Sequence, residues 1–512
     1  MIRHIVVTAS LWSVFIFGCG NVAADKVAPE GSRDASAATS DPSTAAPIAD
    51  RAGRPENGGD REIAVGDWPQ FLGPHGTGVS DETGLAASWP AEGPPQVWTK
   101  EVGVGYSAPS VLGSRLVVHH RIGDEEIIEC LNAATGESSW KHATPTDFVD
   151  PYGYNGGPRC TPLLTRDRCY TYGAAGTLCC VELATGNEVW RREVAKDFAI
   201  SEGFFGVGCT PVIYGELLIA LVGGQPDAAV VAFNKDTGKT VWHAGGKPTW
   251  DGIVTPHGDT YDWTGEEMLV SYSSPIIEKI GGEDHLLCLL RQGLLSLDPW
   301  TGKTKFRYWF RSQAHESVNA ARPVVAGDKV LVTAAYRTGA ALLQLKSNGF
   351  DEVWRDRSNL ECHWSTPVIV DGYAYGFSGR HESEGTLRCI ELATGKVLWE
   401  ADGGEPIRDA IETSPTGRGY VFKATGKPAP WPYYGRGSKI LSDGKAIILG
   451  ERGTLFLGEL SPAGVKERSR AAAPGIQFPA WAAPVLSHGR LYLRDEDTLL
   501  CLDISKAIEP QK

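Results

Sequence analysis

Seven residues carry most of the chemistry that this sequence can offer. They are Arg159, Ser274, Asn319, Arg322, His363, Trp364 and Trp481, each lying at or a few residues ahead of a proline (162, 275, 323, 367 or 484). Arginine presents a planar fork of donors matched to carboxylates and other flat anions, and histidine adds a further donor. Tryptophan stacks on planar rings and on guanidinium groups. A loop surface built from these types is suited to binding a planar anion. The plainer alternative is that the same groups hydrogen-bond loop carbonyls around a water-filled channel. No catalytic residue and no metal-ligand set is assigned. The motif Cys-x-x-Cys-His is absent, so no c-type haem is attached to this chain. With 49 Lys and Arg against 62 Asp and Glu, the net charge is −13, and no basic run follows the N-terminus. That balance excludes a nucleic-acid partner, whose phosphates need clustered cations.

What must position these residues is a repeat. One unit recurs with a period of about 54 residues. It begins with a small residue and Pro, continues through apolar strands, reaches Thr-Gly, and closes on an aromatic. The first copy has Ser107-Ala108-Pro109, Thr135-Gly136 and Trp140. The second has Thr161-Pro162, Thr185-Gly186 and Trp190. The third has Thr210-Pro211, Thr237-Gly238 and Trp242. The fourth ends on Phe306, the fifth is degenerate around Arg322-Pro323 and Trp354, and the sixth is sharp again at Thr366-Pro367, Thr394-Gly395 and Trp399. The seventh, from Ser438, lacks both the starting Pro and the closing Trp. The eighth starts at Ala483-Pro484 and stops at Leu502-Asp503, without its final strand. The missing strand is Gln96-Val97-Trp98-Thr99, at the other end of the chain. The reading is an all-β, eight-bladed propeller of four-stranded antiparallel blades, closed by an N-terminal strand that completes the last blade. Closure removes the exposed edges of an open sheet, and the recurring aromatics are expected to pack between blades.

Loops preceding each starting proline converge on the channel, which is why the seven residues above are the channel-mouth candidates. Two insertions break the period, at 243–270 and 401–436. Both are rich in aromatics (Trp250, Trp263; Trp431, Tyr433, Tyr434), and they read as a partner surface, as a pocket lid, or as loops packed on their own blades.

The chain opens like a secretion signal over 1–18, with Arg3 before the apolar run Ile5 to Phe17. Ile16-Phe17-Gly18-Cys19 resembles a lipobox, which makes Cys19 the lipid-attachment site; ordinary cleavage near Ala23-Ala24 is the alternative. Residues 19–62 are rich in Ala, Ser, Pro, Gly and Asp and free of aromatics, so they read as a disordered tether. The propeller then covers 63–506 and a short tail 507–512. These segments place the protein outside the cytoplasm, on the periplasmic side of a bacterial membrane.

Disulfides persist in such a compartment. Cys130, Cys180 and Cys389 each stand six residues before the Gly of a Thr-Gly, the mark of a small buried thiol at one repeat position. If Ala174-Ala175 forms a two-residue hairpin loop, Cys169 and Cys180 oppose each other across it, either as a disulfide or as two packed thiols.

Taken together, Thr-Gly-x-x-x-Trp after a Leu-Asp or Leu-Ala strand end resembles the repeat of pyrroloquinoline quinone (PQQ) enzymes. Asp67-Trp68-Pro69-Gln70-Phe71-Leu72-Gly73-Pro74 is similar to the start of planctomycete-type PQQ-like repeat proteins. The resemblance, from about Asp67 to Ile504, implies the quinoprotein alcohol dehydrogenase-like propeller fold. It implies two functions. One is a lipid-anchored binding or assembly scaffold like the BamB lipoproteins, meeting a protein partner or small molecule at the channel mouth and the insertions. The other is a dehydrogenase that oxidises an alcohol or sugar with PQQ and Ca²⁺ and passes electrons to a separate carrier. Some alcohol dehydrogenases of the family carry a vicinal disulfide under PQQ. Cys179-Cys180 invites that comparison, although its place in an interior strand favours a buried thiol pair.

Overall fold

The computed structural model describes residues 64–200, 205–314 and 317–505. Cys19, the signal segment, the tether and the tail from 507 lie outside the described residues. Within them the chain forms eight blade sheets, seven of four antiparallel strands and one, blade seven, whose four antiparallel strands are joined by a fifth, parallel strand, Val79–Ser80. Blade one is Ser110–Leu112, Arg115–Ile122, Glu125–Asn132 and Ser138–Pro145. Blade two is Leu163–Leu164, Arg168–Tyr172, Thr177–Glu182 and Glu188–Glu193. The last sheet joins Val485–Ser487, Arg490–Arg494 and Thr498–Asp503 to Gln96–Glu101, with Trp98 opposite Cys501. Blade eight therefore draws its outer strand from the start of the domain. Its buried Arg494 donates to the carbonyls of Ser107, His119 and Gly103, tying blade eight to blade one. No helix among the described residues is long and apolar enough to cross a membrane.

The repeated motif has a direct structural meaning. In the outer strand of each of six blades, the tryptophan or its substitute faces a small residue of the next strand inward: Trp140 faces Cys130, Trp190 faces Cys180, Trp242 faces Ala232, Phe306 faces Ser296, Trp399 faces Cys389 and Trp98 faces Cys501. A small neighbour leaves room for the indole to lean onto the following blade. There its Nε1 donates to a turn carbonyl: Trp98 to Ala133, Trp140 to Leu183 and Trp190 to Lys235; Trp354 of blade five makes the same bond to Leu392 although it faces Leu342. The ring covers the glycine of the next Thr-Gly. A Cβ added to Gly136 would meet Trp98 at 2.8 Å, and the residue already sits at φ +72°. Glycine is required there twice over, for its conformation and for its missing side chain.

The start of each repeat works at the inner end. Thr161 N donates to Thr210 Oγ1, Thr210 N to Ser274 Oγ, Arg322 N to Thr366 Oγ1, and Ser110 Oγ to the Pro162 carbonyl. Small hydroxyl residues thus stitch neighbouring blades near the axis.

The stretch 67–80 crosses this inner ring. Trp68 N bonds the Val111 carbonyl in blade one, and Leu164 N in blade two bonds the Pro69 carbonyl. Arg322, ahead of blade five, donates to the Gly76 carbonyl, and Val79–Ser80 pairs in parallel with Leu441–Ser442 of blade seven.

One register expectation fails. Cys169 pairs with Val181, and Tyr170 with Cys180, so Cys169 and Cys180 face opposite sides of the sheet and cannot bond. A two-residue loop at Ala174-Ala175 would need two alanines at positive φ. Instead Gly173 N bonds the Thr177 carbonyl, and Gly176 alone takes the left-handed conformation at φ +90°. The loop has three residues, and the register moves by one. All ten cysteines among the described residues are free thiols.

Of the insertions, the first packs home. Trp250 is fully buried in the core shared by blades three and four and meets Trp309 edge-on. The second carries its own small sheet, Ile411–Thr413, Tyr420–Phe422 and Pro428–Ala429, and buries Tyr434 against Phe456.

Candidate functional site

On the axis lies a cavity of about 470 Å³ whose wall takes residues from the starts of all eight blades. Phe71 and Leu72, from the crossing stretch, also line it. Convergence of blade starts is a consequence of the ring: each first strand points the same way, so residues remote in sequence meet at one mouth.

Five of the seven candidates line the cavity: Arg159, Ser274, His363, Trp364 and Trp481. Asn319 and Arg322 do not. The Asn319 amide donates to the carbonyls of Leu290 and Phe310. The Arg322 guanidinium holds the Gly76 and Pro275 carbonyls. Both residues therefore support the wall and floor from behind, where short polar groups must satisfy buried loop carbonyls.

The wall is aromatic. Trp481 lies 5.1 Å from Tyr106, 5.2 Å from Trp364 and 5.5 Å from Tyr154. Phe205 links Tyr152, Tyr154 and Tyr272. Tyr152, Tyr154 and Phe478 remain about half exposed, forming an apolar rim that is unusual on a soluble surface.

It is also cationic. Arg436, the last residue of the second insertion, stacks on Trp364 at 4.4 Å and Trp481 at 5.3 Å. Behind it the buried Glu451 carboxylate pairs with its guanidinium and accepts from Trp481 Nε1. Arg159 pairs with buried Asp150 at 2.7 Å and lies over Tyr106. Burial lowers its affinity for the proton, and Asp150 works against that. Arg380 sits over Tyr336 at the rim. Lys439 is the least compensated cation. It is 4% exposed, donates to the Thr366 carbonyl at 3.2 Å, rests over Phe377, and has no carboxylate partner among the described residues. Burial pushes its pKa down to about 8. His363 bonds Tyr336 through Nε2 and leaves Nδ1 unpartnered. Burial, then the charges of Arg436 and Arg380, push its pKa down to about 3, so it is a neutral imidazole. His363 thus offers a hydrogen bond to a guest and no charge.

No carboxylate lines the cavity among the described residues. Two arginines are balanced from behind by Asp150 and Glu451, while Lys439 and Arg380 are not, which leaves the interior electropositive in a chain of net charge −13. Such a wall favours an anion that is flat enough to stack. It does not fit Ca²⁺, a hard cation that takes six to eight oxygens with carboxylates among them. The PQQ half of the implied cofactor pair suits the wall, being planar and polyanionic. The calcium half does not.

Sequence reasoning missed Phe71, Leu72, Tyr336, Arg380, Arg436 and Lys439. For Lys439 a signal existed. Blade seven lacks its proline, and Ser438-Lys439 stands where the other blades have a small residue and Pro. Lys439 is four residues before the hairpin turn at 443–444, as Pro109, Pro211, Pro367 and Pro484 are before theirs.

The family described as outer membrane protein assembly factor BamB matches residues 123–401. Among solved structures, quinohemoprotein alcohol dehydrogenase from Comamonas testosteroni superposes with TM-score 0.56 at 13% identity, covering 88% of this chain and 82% of the other. BamB from Moraxella catarrhalis gives TM-score 0.48 at 14% identity, covering 81% and 98%. No curated protein sequence matches.

Proposed function

The chain belongs to the family described as outer membrane protein assembly factor BamB, and we propose that it is a binding or assembly scaffold whose axial cavity receives a flat anionic group presented by a partner. The observation that carries this reading is the cavity lining. Its aromatic walls surround an uncompensated Lys439, with no carboxylate among the described residues that line it. The half-exposed Tyr152, Tyr154 and Phe478 supply apolar area around the mouth, as a docking partner requires. The site residues are Arg159, Ser274, His363, Trp364, Trp481, Arg436 and Lys439, with Asn319 and Arg322 supporting them. The insertion at 401–436 serves the site through Arg436. Residues 1–18 act as a signal, Cys19 carries lipid, 19–62 tether the domain of 63–506, and 507–512 form a tail, so the propeller works outside the cytoplasm beside a membrane.

The dehydrogenase alternative draws support from the stacking wall, which suits a planar quinone. It lacks a carboxylate to ligate calcium or to take a substrate proton among the described residues that line the cavity, and no reaction step is derived for it. Titration of the purified protein with PQQ, with and without Ca²⁺, separates the two. The scaffold reading expects saturable quenching of tryptophan fluorescence that is independent of Ca²⁺, and no dye-linked oxidation of alcohols or sugars. Ca²⁺-dependent binding with turnover overturns it.

A further inference from the structure

Away from the cavity, the outer edge of the junction between blades one and two holds His142, Cys179 and Glu188. His142 is on the outer strand of blade one, while Cys179 and Glu188 come from adjacent strands of blade two. His142 Nε2 is 3.9 Å from Cys179 Sγ and 3.3 Å from Glu188 Oε2, and the three ligand atoms all lie within 4.8 Å of one another. A zinc ion bound at about 2.3 Å to sulfur and about 2.0–2.1 Å to nitrogen and oxygen has tetrahedral edges of about 3.6 Å for N to S and about 3.3 Å for N to O. The N to S and N to O separations match those edges within a few tenths of an ångström, and the S to O separation lies within 4.8 Å.

The place is a bridging position in the repeat, and its other copies show what it ordinarily contains. Between blades eight and one the equivalent contact is Lys100 to Glu129 at 3.4 Å. Between blades four and five it is Tyr308 to Glu352 at 2.6 Å. Those are an ion pair and a hydrogen bond that tie neighbouring blades. Among the described residues, only where blade two supplies a thiol beside a carboxylate, and blade one an imidazole, do three ligand types meet.

We propose that His142, Cys179 and Glu188 bind Zn²⁺ as a staple between blades one and two, with water in the fourth position. A set of imidazole, thiolate and carboxylate suits zinc, whose tetrahedral sites mix N, S and O donors. Binding forms Zn–N, Zn–S and Zn–O bonds and releases the Cys179 thiol proton to solvent, with no change of oxidation state. Arg191, 3.6 Å from the Glu188 carboxylate, orients that ligand from outside.

The test is titration of the chelator-washed full-length protein, under reducing conditions, with Co²⁺ and then Zn²⁺. The site predicts tetrahedral Co²⁺ bands in the visible with a thiolate-to-cobalt charge-transfer band in the near ultraviolet, saturating at one equivalent and bleached by Zn²⁺. Cys179→Ala should abolish the charge-transfer band, and His142→Ala should weaken Co²⁺ affinity at least tenfold. Glu188→Gln, on a more exposed side chain that leaves the core intact, should also weaken it. Absence of a saturating spectrum in the wild type, or an unchanged band in folded Cys179→Ala, overturns the proposal.

Discussion

Replacing Lys439 with methionine should stabilise the protein at neutral pH while weakening anion binding. Methionine keeps the length and the apolar stem. It removes an ammonium that is held in a nearly dry wall with one carbonyl acceptor. The folded-state pKa of about 8 lies below the ordinary 10.5, chiefly through burial, so the folded protein holds this proton less tightly than the unfolded chain. At 1.36 kcal/mol per pK unit, the penalty at pH 7 is about 3 kcal/mol. Losing the hydrogen bond to the Thr366 carbonyl costs about 1 kcal/mol, which leaves the variant about 2 kcal/mol more stable at pH 7. The sign follows from linkage. Between about pH 8 and 10.5 the unfolded chain holds the proton and the folded one does not, so wild-type stability rises with pH across that window. By pH 10.5 the penalty is nearly gone, and the variant should be the less stable of the two by about 1 kcal/mol. Urea denaturation of both proteins at pH 7 and pH 10.5 measures the two differences, and comparing them cancels every other titrating group. The same variant should bind PQQ or a benzene polycarboxylate at least about tenfold more weakly at pH 7, having lost a charged donor. A stability difference that is the same at both pH values would refute the reasoning.

Three further outcomes follow from the ring and its floor. Trp98→Ala removes the indole that joins the last blade to the first and should cost about 3–5 kcal/mol in denaturation midpoint experiments; a cost below about 1 kcal/mol would show that closure does not rest on that contact. Gly136→Ala forces a Cβ against the same ring at positive φ, so it should destabilise by roughly 2 kcal/mol, whereas alanine at the unobstructed, negative-φ Gly349 should be close to neutral. Arg322→Ala leaves the Gly76 and Pro275 carbonyls without this donor, and limited proteolysis should then cut within 67–85 several times faster than in the wild type, while an unchanged digestion pattern would mean that Arg322 does not hold the floor.

The architecture was legible because a repeat states its own constraints many times. Thr-Gly followed by Trp recurs since each indole needs a bare glycine on the next blade, and the missing last strand was readable as an early one because a ring has no free end. The small thiols at 130, 180 and 389 were placed correctly for the same reason: the position opposite the tryptophan holds a small residue in six blades, although blade five has Leu342 there. The hairpin at 173–177 was misread because loop length turned on which residue takes positive φ, and a single glycine decided it.

By itself, then, the sequence determined the propeller, its eight blades, the strand that completes the ring and five of the residues lining the axis. These are repetitive or local features, carried by spacing and by the conformational limits of Gly and Pro. The tertiary structure decided what those residues face. It set Asp150 and Glu451 behind two arginines, left Lys439 without a carboxylate, drew Arg436 from an insertion into the wall, and turned Arg322 toward a floor laid by residues 67–80. It also brought His142 to Cys179 and Glu188 across a blade junction. Such pairings join positions from nine to 246 residues apart, and charge balance and ligand geometry depend on separations in space that no local pattern records.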